Sequence, residues 1–312
     1  MENGGTAAHA GQRVVQSRPM GLQRILLETI ATDDFFRLSF PLRPDLYAGI
    51  ERRFPQWPLL AVDRENRIVC GHDYVSLLKR RRQMEGRGLR IDLDEGNGLL
   101  LNFSVKQSLT GLNLFEQVMF VRKALPFFPA REIQRRAALS FAVEELLPKM
   151  LDALLSPPFG RLLASNRISL KSARRLLDLP EGDRAALLQV LAAAAFTENQ
   201  QLRLIELAEE TAFARKEPAL RVLSRAGIPR LVKQEMPQKR ILESLFRLRY
   251  PRFSQSEDRW LEKIGEFMRD GRVQVRRHPF GEKKEVELVI RVGDGEKALK
   301  MLENIKKTLA GG

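Results

Sequence analysis

Residues 67–80 read RIVCGHDYVSLLKR, an apolar strand end, a glycine and then a helix whose last turn is basic. Ile68, Val69 and Cys70 form a short β-branched run that suits a buried strand, and Gly71 offers the positive φ that a tight strand-to-helix turn needs. Asp73 is expected to cap the helix, with Tyr74, Leu77 and Leu78 on its apolar face and Lys79 and Arg80 suiting the C-terminal dipole. Such a turn supports two interpretations: a phosphate site at a helix N-terminus, or a plain junction. The plain junction fits better, because the acid at position 73 repels an anionic ligand.

Working outward, RPDLYAGIERRF carries Leu46, Ile50 and Phe54 at helical spacing after a proline. Leu59–Val62 and Ile68–Cys70, joined through Asp63, Glu65 and Asn66, read as a hairpin. RILLETI, FRLSF, GLRIDLDE and GLLLNFSV are further strand candidates, so residues 21–111 are expected to be a mixed α/β domain. Residues 1–20 lack periodicity and are expected to be a disordered arm. From 112 to 236 apolar positions recur every three or four residues, the pattern of an all-α domain, with Ser169 and Thr197 at N-cap positions. Residues 237–312 read helix, strand, strand, helix, with Ser254 or Ser256 as a cap, Gly271 as a stop and Gly281 in the hairpin turn. The fold class is therefore α+β.

Composition narrows the function classes. The chain has 312 residues, 44% of them hydrophobic, enough for real cores, and a net charge of +14 that points to nucleic acid or another acidic surface. A single cysteine, Cys70, rules out an internal disulfide framework, and His9, His72 and His278 lie too far apart in sequence for metal-ligand spacing. No metal site is expected. No apolar stretch reaches the length of a membrane span and no secretory signal is legible, so a cytoplasmic protein without membrane partners is expected. The acidic pairs Asp33-Asp34, Asp92-Asp94-Glu95 and Glu144-Glu145 are more simply turns, loops and a helix face than general acid–base sites.

DLYAGIERRFPQWPLLAV, then RIVCGHDYVSLLKRR, then LNLFEQVMFVRKAL resembles, in pattern and order from about Ile25 to about Glu210, the ParB partition-protein family. The resemblance implies a ParB/sulfiredoxin-like N-terminal domain that binds cytidine triphosphate with Mg²⁺, a helical domain with a DNA-binding helix-turn-helix, and a dimerising C-terminal segment. It also implies nucleoid association and a partition ATPase as a partner. The family's Gly-Glu-Arg-Arg-x-Arg turn falls on Gly71, His72, Asp73, Tyr74, Val75 and Ser76, and only the glycine survives. Its Glu-Asn-x-x-Arg motif falls on Val105–Leu109, where Lys106 alone is cationic, and the glycine before its Pro-led strand falls near Phe54. Gly71, His72 and Lys106 are thus a remnant nucleotide turn. No residue is assigned a catalytic role, nucleotide hydrolysis is expected to be lost, and no cofactor is expected, with CTP and Mg²⁺ the alternative.

Sulfiredoxins share this fold and use a Gly-Cys-His-Arg turn, but Cys70-Gly71-His72-Asp73 moves the thiol back into the strand and lacks the arginine. The resemblance implies a degenerate helix-turn-helix, with a first helix at about Ala130–Leu139, a turn around Ser140, and a recognition helix at about Phe141–Leu154 with Pro148 inside it. That second helix is poor in base-reading side chains. DNA contacts are expected instead from Arg131, Arg135, Arg136, Lys149, Arg161, Arg167, Lys171, Arg174 and Arg175, acting on phosphates. Arg276, Arg277, His278, Lys283 and Lys284 form a second basic cluster on the C-terminal hairpin. The expected job is DNA binding in segregation or regulation by a homodimer. The alternatives are a nucleotide-responsive or redox protein using the Gly71 turn, and a protein-interaction adaptor.

Overall fold

The computed structural model describes residues 21–31, 33–53, 59–146, 148–268, 273–277, 286–291 and 294–310, divided into two compact units at 202/203. The arm at 1–20, Phe54, Gly271, His278, Gly281, Lys283 and Lys284 lie outside the described residues.

The first unit opens with β1 (Gln23–Leu26), a 3-10 turn at Leu27–Thr29, α1 (Pro44–Arg53), β2 (Leu60–Val62), β3 (Ile68–Cys70), α2 (His72–Arg80) and β4 (Glu85–Arg90). The strands form one mixed sheet in the order β1-β4-β2-β3. β1–β4 and β2–β3 are antiparallel, while β2 runs parallel to β4 with Leu60 opposite Gly88. Ile25, Leu60, Val62, Tyr74, Val75 and Leu78 fill the core between this sheet and α1 and α2. β2 and β3 are three residues each and buried throughout, which is why their sequence shows continuous apolar runs rather than alternation.

Helices follow: α3 (Glu95–Thr110), α4 (Leu114–Ala124), α5 (Ala130–Arg136), a 3-10 turn at Val143–Glu145, α6 (Pro148–Leu155), α7 (Phe159–Ala164), α8 (Leu170–Leu177), α9 (Glu181–Ala193) and α10 (Glu198–Arg215), which runs past residue 202. α4 starts with a capping box, in which Asn113 accepts from the Glu116 N–H and Glu116 accepts from the Asn113 N–H. Ser169 caps α8, and Thr197 and Gln200 exchange capping bonds at the start of α10, both as the sequence suggests. The second unit continues with α11 (Ala219–Arg225), α12 (Ile228–Leu231), α13 (Gln238–Arg249), α14 (Pro251–Met268), the antiparallel pair β5 (Val273–Arg277) and β6 (Val286–Ile290), and α15 (Gly295–Ala310).

Several local expectations change. GLLLNFSV is helical, because Asp94 caps α3 by accepting from the Asn97 N–H, and Leu99, Leu100 and Phe103 bury at helical spacing. FRLSF is not a strand, and side chains satisfy much of its backbone, as described below. Ser254 sits inside α14, which starts at Pro251, rather than at its cap. The expected second helix of the helix-turn-helix begins at Pro148, so the proline starts α6 instead of kinking it. Residues 137–147 separate α5 from α6, a longer connection than the three or four residues of a helix-turn-helix.

Gly71 is fixed by geometry: its φ is +97°, and a Cβ there would lie 2.1 Å from the Leu59 carbonyl oxygen. Gly71→Ala is expected to destabilise the chain by about 3 kcal/mol, combining left-handed strain with a backbone clash. Gly227→Ala, at φ +70° with nothing within 4 Å, is expected to cost about 1 kcal/mol. Urea midpoints of the two variants provide the comparison.

Candidate functional site

Helix α2 has two chemically different faces. Gly71 is its N-cap residue and offers no side-chain cap, so Asp73, expected to fill that role, is free to turn inward. On the other side, His72, Val75, Ser76, Lys79 and Arg80 fall at helical spacing. Together with Asp34, Arg37, Leu42 and Ile68 they line a cavity of about 450 Å³. Leu42, Ile68 and Val75 supply its apolar lining, and Arg37, Lys79 and Arg80 set three cations against the Asp34 carboxylate, which pairs with Arg37 at 2.8 Å.

His72 is buried in this wall, and its Nε2 has no hydrogen-bond partner. Burial pushes its pKa down to about 3, with Arg37 and Lys123 acting in the same direction and Asp34 and Asp73 only partly opposing them. The imidazole is therefore neutral near neutrality and presents one unsatisfied ring nitrogen. Cys70, buried in β3, has its thiol pushed up to about 12 by the same desolvation, which leaves almost no thiolate for redox chemistry.

The inward face holds a buried ionic network. Lys106 of α3 donates from Nζ to Ser39 Oγ at 2.7 Å and to Asp73 Oδ2 at 2.9 Å, and lies 3.6 Å from Glu116 Oε1. The Ser39 hydroxyl and the Arg43 backbone N–H also donate to Asp73. Arg43 in turn donates from Nη2 to both oxygens of Glu116, at 2.9 and 3.1 Å, and to the Gly111 carbonyl at 3.2 Å. Burial works to raise the Asp73 pKa, but the Lys106 ammonium, the Ser39 hydroxyl and the Arg43 N–H outweigh it and hold the carboxyl below its ordinary range. Lys106, expected at a nucleotide turn, is thus engaged with an internal carboxylate.

The same network anchors the irregular segment 34–43. Lys123 of α4 donates to the carbonyls of Asp34, Phe35 and Arg37 at 3.0, 2.6 and 2.9 Å. Burial lowers its pKa. Asn102 donates to the Phe36 carbonyl, Asn113 donates to the Phe40 carbonyl, and Glu116 accepts from the Phe40 N–H. Because Asp34, Arg37 and Leu42 line the cavity, the segment that closes the network also walls the pocket.

The cations expected at a DNA surface fall between α5 and α8, with Arg167 in the connection between α7 and α8. Arg131, Arg136 and Arg174 pair with Glu144, Glu132 and Glu145, and Arg136 also lies over the Phe128 ring at 4.9 Å. Arg135, Lys149, Arg161, Arg167 and Lys171 are exposed and make no ion pair with described residues. Arg175 is exposed on α8. α6 packs on α4, α7 and α8, and α5 packs on the 3-10 turn before α6. Arg276 and Arg277 lie on β5.

Ser39, Arg43 and Glu116 were missed by sequence reasoning because no local pattern links positions so far apart. Ser76, Lys79 and Arg80 had a usable signal, since they share the helical face of His72. Among the described residues, no helix is long and apolar enough to cross a membrane, and no group of three or more His, Cys, Asp or Glu side chains could hold a metal ion.

No protein-family profile matches the chain, and no curated protein matches it either. Among solved structures, a Pnob8-like ParB-N domain is similar at a TM-score of 0.38 and 15% identity, over 72% of this chain and 93% of that chain. So faint a likeness leaves functional interpretation to the chain's own residues.

Because unfolding exposes His72 to an ordinary pKa near 6.5, the unfolded chain binds a proton that the folded chain refuses as pH falls from there toward 3. The His72 contribution to stability is therefore complete above about pH 6.5 and is lost below it. Asp73 adds a second loss, starting near pH 4 and running through its lowered folded value. His72→Gln is expected to remove about 1.4 kcal/mol per pH unit from the slope of stability between pH 6 and 4, as read from urea midpoints.

Proposed function

We propose that this chain is a ParB-like DNA-binding protein that holds duplex DNA mainly through backbone phosphates. The observation that carries this reading is a set of exposed cations without an ion pair among the described residues: Arg135, Lys149, Arg161 and Lys171 on α5 to α8, and Arg167 between α7 and α8. Several neighbouring carboxylates are already neutralised, with Glu132, Glu144, Glu145 and Asp152 paired to Arg136, Arg131, Arg174 and Arg122. The net charge of +14 strengthens the field that steers a polyanion toward such a surface. α6 reads PKMLDALL, and its polar side chains are Lys149 and an Asp152 already held by Arg122, so it supplies no amide or guanidinium to read a base edge. Recognition in this reading is weakly dependent on sequence. Self-association of the second unit, where Leu299 and Leu302 of α15 are exposed, would place two such surfaces on one duplex.

Binding to a labelled duplex should weaken steeply with salt. Neutralising five phosphates gives a log–log slope of about −4.5, and each lost contact reduces its magnitude by about 0.9. The double variant Arg135→Glu with Lys171→Glu should lower affinity and flatten the slope. No binding at low salt, or binding indifferent to salt, would refute the proposal and favour a protein-interaction adaptor.

A second reading rests on the α2 cavity, whose volume and cationic rim suit a small anionic ligand such as CTP with Mg²⁺. Calorimetric titration of CTP with Mg²⁺ should then show saturable binding that Lys79→Ala and His72→Ala both weaken. Absence of heat at millimolar nucleotide would remove this reading while leaving the first untouched.

A further inference from the structure

Around the Asp73 carboxylate, three donors converge from outside its own helix: the Lys106 ammonium on α3, the Ser39 hydroxyl, and the backbone N–H of Arg43. They come from two separate parts of the chain, and the carboxylate that joins them is almost completely buried, at 1% exposure. A positively charged group and two neutral donors around a desolvated point are what a carboxylate-binding site consists of. The occupant here is a side chain of the same molecule. Glu116, 3.6 Å from Lys106 and bidentate to Arg43, supplies the second negative charge, so the four ionised groups balance without any external ion.

We propose that Asp73 is an internal carboxylate ligand: its seating among Lys106, Ser39 and Arg43 holds segment 39–43 and α3 against α2, and a small free carboxylate takes its place when the side chain is removed. Removing Asp73 strands a buried ammonium with a single, more distant carboxylate partner already shared with Arg43. That imbalance is large compared with the net strength of an ordinary hydrogen bond. Asp73→Ala keeps the Cβ and deletes the CO₂⁻ group, which is the size and charge of formate. The vacancy it leaves is therefore selective for a one-carbon carboxylate.

The test is amide hydrogen exchange across residues 39–43 in the full chain, with and without sodium formate and with sodium chloride at matched ionic strength. Asp73→Ala is expected to accelerate exchange there on the order of a hundredfold. Formate, but not chloride, should slow it again along a saturation curve, while the parent protein does not respond. Unchanged exchange in Asp73→Ala, or no recovery with formate while far-UV circular dichroism stays native, would overturn the proposal. If Asp73→Ala fails to fold, the double variant Asp73→Asn with Lys106→Met decides it. With no ammonium left to satisfy, that variant should protect 39–43 better than Asp73→Asn alone and ignore formate; equal looseness, or protection by formate, would count against it.

Discussion

The ion pair between Lys106 and Asp73 is the contact on which the first unit depends. Both side chains are buried, 3% and 2% exposed, and each charge loses several kcal/mol of hydration that only close partners can offset. Lys106 and Asp73 meet those terms through Ser39 and the Arg43 N–H, and Arg43 and Glu116 meet them through each other. The sheet beneath is small, with two of its strands only three residues long, so it provides limited apolar surface for organising the helices that follow. Polar contacts do part of that work. α3 and α4 are tied to α2 through a segment with no regular structure of its own, which Lys123, Asn102 and Asn113 also hold by its carbonyls.

This division assigns different chemistry to the two sides of α2. On the inner side Lys106, Asp73 and Glu116 are buried and matched, while Arg43 is 27% exposed and its Nε has no hydrogen-bond partner among the described residues. On the outer side Arg37, Lys79 and Arg80 remain near solvent, and a neutral histidine adds an unsatisfied nitrogen. There Arg37 pairs with Asp34 at 2.8 Å and Arg80 lies 3.7 Å from Asp45, which leaves Lys79 as the rim cation without an ion pair among the described residues. The inner face would require exchanging Asp73 for something that binds Lys106 equally well. Of the two faces of α2, the outer one therefore carries the cavity, and the inner one is filled by the chain's own side chains.

The sequence and the structure agree where the signal is local. The strand Ile68–Cys70, the positive φ at Gly71, the hairpin partner at 60–62 and the caps Ser169 and Thr197 each follow from neighbouring residues whose conformational preferences point the same way. Disagreement arises where tertiary contacts decide. GLLLNFSV reads as a strand because Leu99, Leu100 and Leu101 adjoin, yet Asp94 and a long helical burial face override that run. Asp73 reads as a cap because it follows a glycine, and is drawn inward by a lysine 33 positions away. No window-sized pattern could have shown that Lys106 would meet Asp73, because the segment that brings Ser39 and Arg43 to them has no periodicity. The cations of α5 to α8 were legible as residues, but which of them are already spent on Glu132, Glu144 and Glu145 was not.

That last distinction bears on what the helical region can bind. A basic residue paired with an exposed carboxylate contributes little field, whereas an unpaired one adds its full charge. Arg131, Arg136 and Arg174 are therefore largely neutralised, and in the DNA-binding reading proposed above the contacts with a polyanion would fall to Arg135, Lys149, Arg161, Arg167 and Lys171. Phosphates reward this arrangement because their charge repeats along the duplex regardless of sequence. Base edges do not, since α6 begins with Pro148 and Lys149 and commits Asp152 to Arg122. If the chain holds DNA as proposed, several cations without an ion pair among the described residues, and no amide or guanidinium on the expected reading helix, would favour holding the duplex over choosing among sequences, and any selectivity would have to come from shape or from the spacing of two copies.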